Sequence, residues 1–409
     1  MNTPNDQTST NEIFVGRQAI FDRKLNVHAY ELLFRDGSAN SANVIDGNKA
    51  TSQVITNAFL EMGVEQITQH HGAFINLTRE FLLGEIPFPL PPGKIVLEVL
   101  EDVVVDEQLV ESIQRFKEAG YTIALDDFIL DKKNHALVPF ADIIKIDLMA
   151  VDQEKLIDQV RQLNSYDVKL LAEKVESKSE FKMCKQLGFE YFQGYFFCKP
   201  DIVAGKQLPP NRLALLEIIA TLQDPECSFE ALESIVSKDV AMSYKLLRII
   251  NSSFYSLPQS VESIQKALIV LGLQALRNWV TVIGLSQIDD KPPELINICL
   301  TRAKMCEHLA AEMSCDKNSA FTVGLFSMLD VLMDQSLEDL LSQLPLAEEI
   351  TDALTENSGV LGTVLKIVVA YEQSNWGELE KIAVLPASTI QQAYLDSLAW
   401  SEEITSQMK

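Results

Sequence analysis

The chain is poor in cysteine, histidine and positive charge. Its 409 residues include six cysteines (Cys184, Cys198, Cys227, Cys299, Cys306 and Cys315), and none forms a CxxC pair. That spacing argues against a zinc ribbon or a dithiol redox centre and reads as reduced, structural thiols. Of five histidines only His308 lies in the second half, too few there for a His-rich binuclear metal centre. Thirty-four Lys and Arg stand against 58 Asp and Glu, a formal net charge of −24. Such a balance argues against nucleic-acid binding by general phosphate electrostatics and against adsorption to anionic membranes. No run of about 18 apolar residues is present, as a membrane span would need. The most apolar stretch, Ala267–Leu276, is short and holds Gly272 and Gln274. The opening MNTPNDQTSTNE has neither the basic start nor the apolar core of a signal peptide. The expectation is a cytoplasmic protein with no membrane or nucleic-acid partner.

What is present is a globular composition, 47% hydrophobic and 22% charged, over a length that predicts two domains. In the first half, short apolar segments end in a carboxylate, amide or amine. They are YELL with Glu31, FINL with Asn76, IVLE with Glu98, IALDD with Asp126 and Asp127, IIKID with Lys145, LLAEKVE with Glu173 and Glu176, and YFQG with Gln193. Helix-like stretches separate most of them. This pattern predicts an α/β architecture, a (β/α)8 TIM-like barrel whose βα loops each bring a residue to one rim. Strands are expected over 13–16, 27–33, 73–77, 94–99, 121–126, 141–146, 168–172 and 189–193, rich in Ile, Val, Leu and Phe and free of proline. Helices are expected over 44–62, 104–119, 152–164 and 178–187, with short pieces near 78–84 and 133–138. Only residues 17–26 separate the first two strands, so that pair is expected to be antiparallel. The rim of acids, amides and one lysine suits a hard divalent cation and a phosphate ester.

Residues 1–11 read as a disordered tail, 12–200 as the barrel and 201–212 as a linker marked by Pro209 and Pro210. Residues 213–409 read as all-α with an acidic helical C-terminal extension. Helices are expected over Leu213–Leu222, Phe229–Ser237, Ala241–Asn251, Val261–Leu271, Leu273–Leu285, Pro293–Met313, Ala320–Leu332, Leu337–Leu341, Ala347–Thr355, Leu361–Gln373, Trp376–Ile382 and Ala387–Trp400.

In order along the chain, Glu31-Leu32-Leu33, Phe74-Ile75-Asn76, Glu98 to Glu101, Asp126-Asp127-Phe128, Lys145-Ile146-Asp147, Glu173 to Glu176 and Gln193-Gly194 make the first domain resemble the EAL domain. That family hydrolyses the bacterial second messenger cyclic di-GMP. The resemblance implies that Glu31, Asn76, Glu98 and Asp126 hold one Mg²⁺ or Mn²⁺, and that Asp127 and Glu176 support a second. It implies that Lys145 and Glu173 position and deprotonate water, that Arg35 and Gln193 contact the substrate, and that Glu101 supports a loop. The chemistry would be two-metal phosphodiester hydrolysis. The chain departs from the family at Leu32, at Ile129-Leu130-Asp131-Lys132-Lys133-Asn134 after Phe128, where small polar residues and glycines are usual, and at Lys174, where a glycine is usual.

Tyr244-Lys245-Leu246-Leu247-Arg248-Ile249-Ile250-Asn251-Ser252-Ser253 and Ser263 to Gly272 make the second domain resemble the HDOD domain, a helical signalling module related to HD phosphohydrolases. Where a His-Asp pair would fall the chain reads Gly324-Leu325-Phe326-Ser327-Met328-Leu329-Asp330, which implies an interaction module. Phe254, Tyr255 and Trp279 are candidates for a partner surface or for core. The expectation is a signal-transduction protein in which a degenerate EAL barrel regulates or presents an HDOD domain that binds a protein partner. Two alternatives stay open: an active Mg- or Mn-dependent cyclic di-GMP phosphodiesterase, and a receptor that binds cyclic di-GMP without turnover.

Overall fold

The structure is a computed structural model that describes residues 13–36, 64–84, 88, 90–128, 134–199, 208–252, 255, 257, 259–288 and 290–408. The tail over 1–11, the helix expected over 44–62, the segment Ile129–Lys133 and most of the linker lie outside them. The chain divides into two units. One comprises residues up to Val175, Phe181–Gly194 and Val384–Gln392. The other comprises Glu176–Glu180, Tyr195–Ala383 and Ala393–Lys409.

The first unit is a closed eight-stranded barrel: β1 (Ile13–Phe21), β2 (Val27–Asp36), β3 (Gly72–Leu77), β4 (Ile95–Val99), β5 (Thr122–Leu125), β6 (Ile143–Asp147), β7 (Lys169–Glu173) and β8 (Tyr191–Gln193). Each expected strand is present. β1 runs antiparallel to both its neighbours, and all other pairs are parallel. The reversal has a local cause. A parallel return needs a long crossover, whereas an antiparallel one needs only a turn. Asp22 Oδ1 builds that turn by accepting from the N–H groups of Lys24 (2.7 Å) and Asn26 (2.9 Å), and Leu25 takes a φ of 63°.

Helices Glu107–Glu118, Gln153–Leu163 and Lys178–Leu187 form where a 3.6-residue apolar period predicts them. Asp106 and Asp152 cap the first two by accepting from Leu109 N–H and Lys155 N–H. The stretch near 133–138 forms two 3₁₀ turns, Asn134–Ala136 and Val138–Phe140, because Pro139 cannot continue an α-helix.

One apolar residue from each strand closes a ring in the barrel interior: Ile20, Ala29, Phe74, Val96, Ala124, Ile143, Leu171 and Tyr191. Since successive side chains on a strand alternate faces, any inward residue of the next layer must lie two positions further on.

The second unit is helical over its described residues. Phe229–Ser237, Leu273–Leu285, Leu337–Leu341 and Trp376–Ile382 have the predicted bounds. Two expectations are corrected. Ala320–Leu332 is two helices, Lys317–Phe326 and Leu329–Met333, because the Ser327 hydroxyl donates to Gly324 O (2.7 Å) and closes the first. The last helix runs on from Ala387 to Met408. Trp279 donates to Tyr255 Oη (2.6 Å) and packs at 5.6 Å from Trp400, so it belongs to the core; Phe254 lies outside the described residues. Among the described residues, the stretch Glu348–Glu372 is apolar and long enough to cross a membrane. It is interrupted at Glu356–Ser358 and half of its apolar window is buried in the fold, as in a core helix.

Candidate functional site

Two positions beyond each member of the apolar ring stands a polar residue: Glu31 after Ala29, Asn76 after Phe74, Glu98 after Val96, Asp126 after Ala124, Lys145 after Ile143, Glu173 after Leu171 and Gln193 after Tyr191. On the reversed β1 the count runs backwards, and Gln18 precedes Ile20. Period-two alternation therefore carries eight polar side chains into one layer at the C-terminal mouth. Sequence reasoning placed seven of them at the site. It passed over Gln18 because the strand expected over 13–16 stops short of it, whereas β1 runs on to Phe21.

The layer centres on Lys145, whose side chain is 1% exposed. Its ammonium lies 2.6 Å from Glu98 Oε1, 2.6 Å from Asp126 Oδ1, 2.9 Å from Glu173 Oε1 and 3.4 Å from Glu31 Oε2. Amides fix the Glu31 carboxylate: Asn76 Nδ2 donates to Oε1 (3.1 Å) and Gln193 Nε2 to Oε2 (2.7 Å). Gln193 also donates to Gln18 Oε1 (2.9 Å), which orients it.

Burial and charge divide the four acids. Burial pushes the Glu31 carboxyl up, but the Lys145 ammonium and the Gln193 and Asn76 amides outweigh it and hold it below the ordinary range. Glu98 is driven well above that range by burial and by the Glu31 charge, with Lys145 opposing. Asp126 is raised mainly by burial, and Glu173 is pushed up to about 8 for the same reason. Lys145 itself sits well above its usual value: burial opposes its charge, and the four carboxylates overcome that.

One ammonium cannot balance four carboxylates. The shortfall shows in seven buried oxygens that accept no hydrogen bond: Asn76 Oδ1, both Glu98 oxygens, Asp126 Oδ1, Asp127 Oδ1, Glu173 Oε2 and Gln193 Oε1. Two of these, Glu98 Oε1 and Asp126 Oδ1, are paired with the Lys145 ammonium at 2.6 Å, and the other five have no hydrogen-bond partner. Buried polar atoms are ordinarily satisfied, and a cluster of unsatisfied oxygens is the donor set of a hard divalent cation. The residues fit such an ion by chemistry and charge. With the ammonium at the centre, no three acids, histidines or cysteines among the described residues are arranged around a common point as ligands.

The remaining expected residues lie further out. Asp127 follows Asp126 with a φ of 41°. That turn is held by Phe128, whose N–H donates to Lys145 O (3.0 Å) and whose carbonyl accepts from Gln159 Nε2 (2.7 Å). Glu176 is exposed and pairs with Lys199 at 3.1 Å. Glu101 is exposed in the turn after β4. Arg35 lies on β2, and its side chain is outside the described residues. Gly194 has a φ of 147°, and a Cβ there would meet Val175 O at 2.2 Å, so the glycine lets the end of β8 close against β7.

In the helical unit, Arg302 fills the region where a His-Asp pair was sought. It clasps Glu372 through two hydrogen bonds (2.7 and 3.0 Å) and donates to Ser327 Oγ (2.9 Å). His308 is half-buried, and burial lowers its imidazole below the usual value.

The EAL domain family matches residues 47–200 and the HDOD domain family matches residues 208–367. The cyclic di-GMP phosphodiesterase CdgJ of Vibrio cholerae is 34% identical over 96% of this chain and 93% of its own length. The protein YuxH of Bacillus subtilis (strain 168) is 31% identical over 96% of this chain and 98% of its own. The crystal structure of an EAL domain protein from Listeria monocytogenes EGD-e aligns over 47% of this chain and 94% of that one, at 18% identity and a TM-score of 0.38.

Proposed function

We propose that this chain, which belongs to the family of proteins joining an EAL domain to an HDOD domain, is a signalling phosphodiesterase that hydrolyses cyclic di-GMP at its barrel mouth. The observation that carries the reading is the charge deficit: four buried carboxylates share one ammonium, and five further buried oxygens beside them lack a hydrogen-bond partner. Glu31, Asn76, Glu98 and Asp126 would hold Mg²⁺ or Mn²⁺. A cation bound there supplies an acidified water and neutralises charge on a phosphodiester.

The chain's own residues do the rest. Glu173, whose carboxyl burial raises to about 8, is basic enough in its ionised form to take the proton of the attacking water, and a bound cation would favour that form. Lys145 binds Glu173 and Glu98 together and fixes the base. Gln193 and Asn76 hold Glu31 in its ionised form. Arg35, at the end of β2, is assigned to a phosphate oxygen, to which a guanidinium binds through paired hydrogen bonds. The helical unit is assigned to a protein partner.

A second reading, a barrel that regulates the helical unit without turnover, draws on the internal pairing of Lys174 with Asp147 at 2.5 Å. One assay separates the two. The full chain is incubated with cyclic di-GMP and Mn²⁺, and the linear dinucleotide is sought by chromatography. Product that disappears in Glu98→Ala supports hydrolysis. Binding heat without product selects the second reading. Neither heat nor product overturns hydrolysis and leaves a barrel that presents the helical unit without binding the nucleotide.

A further inference from the structure

The resemblance implies a second cation near Asp127 and Glu176; Asp127 keeps one buried oxygen without a hydrogen bond, but the charged groups set beside this pair of carboxylates are ammoniums. Lys174 stands directly after β7 with a φ of 54°, a region that a residue with a side chain seldom adopts without cause. In that conformation its ammonium lies 2.5 Å from Asp147 Oδ2. Asp147 faces Glu173 in the β6–β7 register, and its other oxygen accepts from Met149 N–H (2.7 Å). Glu176, the other carboxylate implied for a second ion, is engaged by Lys199.

We propose that the Lys174 ammonium occupies the electrostatic place of a second cation, so that the barrel mouth takes one divalent ion per chain rather than two. The inference rests on the reading of the mouth as a cation site. Its physical basis is that a tethered positive charge on Asp147, which faces Glu173 in the strand register, repels a divalent ion there. Lys174 is thus a positioning residue that sets metal stoichiometry. It leaves the first ion's oxygens, Glu31, Asn76, Glu98 and Asp126, untouched.

The test is a count of bound Mn²⁺ on the full chain, by calorimetry and by electron paramagnetic resonance, in the wild type, Lys174→Gly and Lys174→Arg. Glycine suits the backbone at this position, so Lys174→Gly should melt no lower than the wild type. The expected result is one Mn²⁺ with an uncoupled six-line spectrum for wild type and Lys174→Arg. Lys174→Gly should hold two, with a broadened, spin-coupled spectrum. Two ions in the wild type, or a single ion in Lys174→Gly, would overturn the inference and leave the first cation site standing. No ion in any variant would overturn both.

Discussion

Replacing Lys145 by Met removes the ammonium from among four buried carboxylates while keeping side-chain length. The side chains concerned range from fully buried to 14% exposed, so water cannot take the ammonium's place. Removing one partner of a buried ionic cluster costs about 3–5 kcal/mol. In a unit of this size that lowers the melting temperature by roughly 6–20 °C.

The loss should depend on pH with a definite sign. In the wild type Glu31 is held below the ordinary range, which contributes stability above the unfolded value near about 4.3. Without Lys145 its folded value moves above that. An acid that binds its proton more tightly when folded makes stability fall as pH rises from the unfolded toward the folded value. The deficit of Lys145→Met is therefore smallest near about pH 5 and grows toward about pH 8. Mn²⁺ should offset part of it by entering the vacated centre, by about 2.7 kcal/mol at a hundred times its dissociation constant. Differential scanning calorimetry of the full chain, in EDTA and in Mn²⁺, at both pH values, gives all four numbers. Equal melting temperatures for mutant and wild type at the higher pH in EDTA would refute the claim that Lys145 is the counter-ion of the ring.

Two further outcomes follow from the same geometry. Because burial raises Glu98 and Glu173, the latter to about 8, Mn²⁺ binding at neutral pH should release protons. Calorimetry in two buffers of different ionisation enthalpy reads that release, and buffer-independent heats would rule it out. In the helical unit, a Cβ at Gly324 would lie 2.6 Å from Ala303 Cα and 2.7 Å from Arg302 O, so Gly324→Ala should cost about 1–3 kcal/mol through overpacking. The midpoint of urea unfolding followed by tryptophan fluorescence measures it, since Trp279, Trp376 and Trp400 all lie in that unit. An unmoved midpoint would show that the two helices have room to part.

Most of the barrel was legible because buried parallel strands announce themselves. Each is a short run of Ile, Val, Leu and Phe with no proline, closed by a polar residue. The polar closure was legible too, since a carboxylate or amide at every strand end has no structural reason to recur. Gln18 was not, because the strand expected over 13–16 ends before it, and only the extension of β1 to Phe21 carries Gln18 into the barrel. The break at Ser327 also escaped, because the apolar period continues through it and only the hydroxyl's bond to Gly324 O ends the helix. The resemblance to the EAL domain made Glu176 a site residue, whereas its partner in space is Lys199.

By itself, then, the order of residues determined which side chains would face inward, because strand geometry alternates faces strictly and needs no knowledge of neighbours. It also determined that the second half would be helical and short of metal-binding histidine. Tertiary structure alone decided how the charges pair: that Lys145 would gather four acids, that Lys174 would turn back onto Asp147, and that Glu31 would be held below the ordinary carboxylate range while burial raises Glu98 and Glu173. Those outcomes depend on distances and burial between strands far apart in the chain, and Coulomb energies in a dry interior vary too steeply with both to be read from spacing.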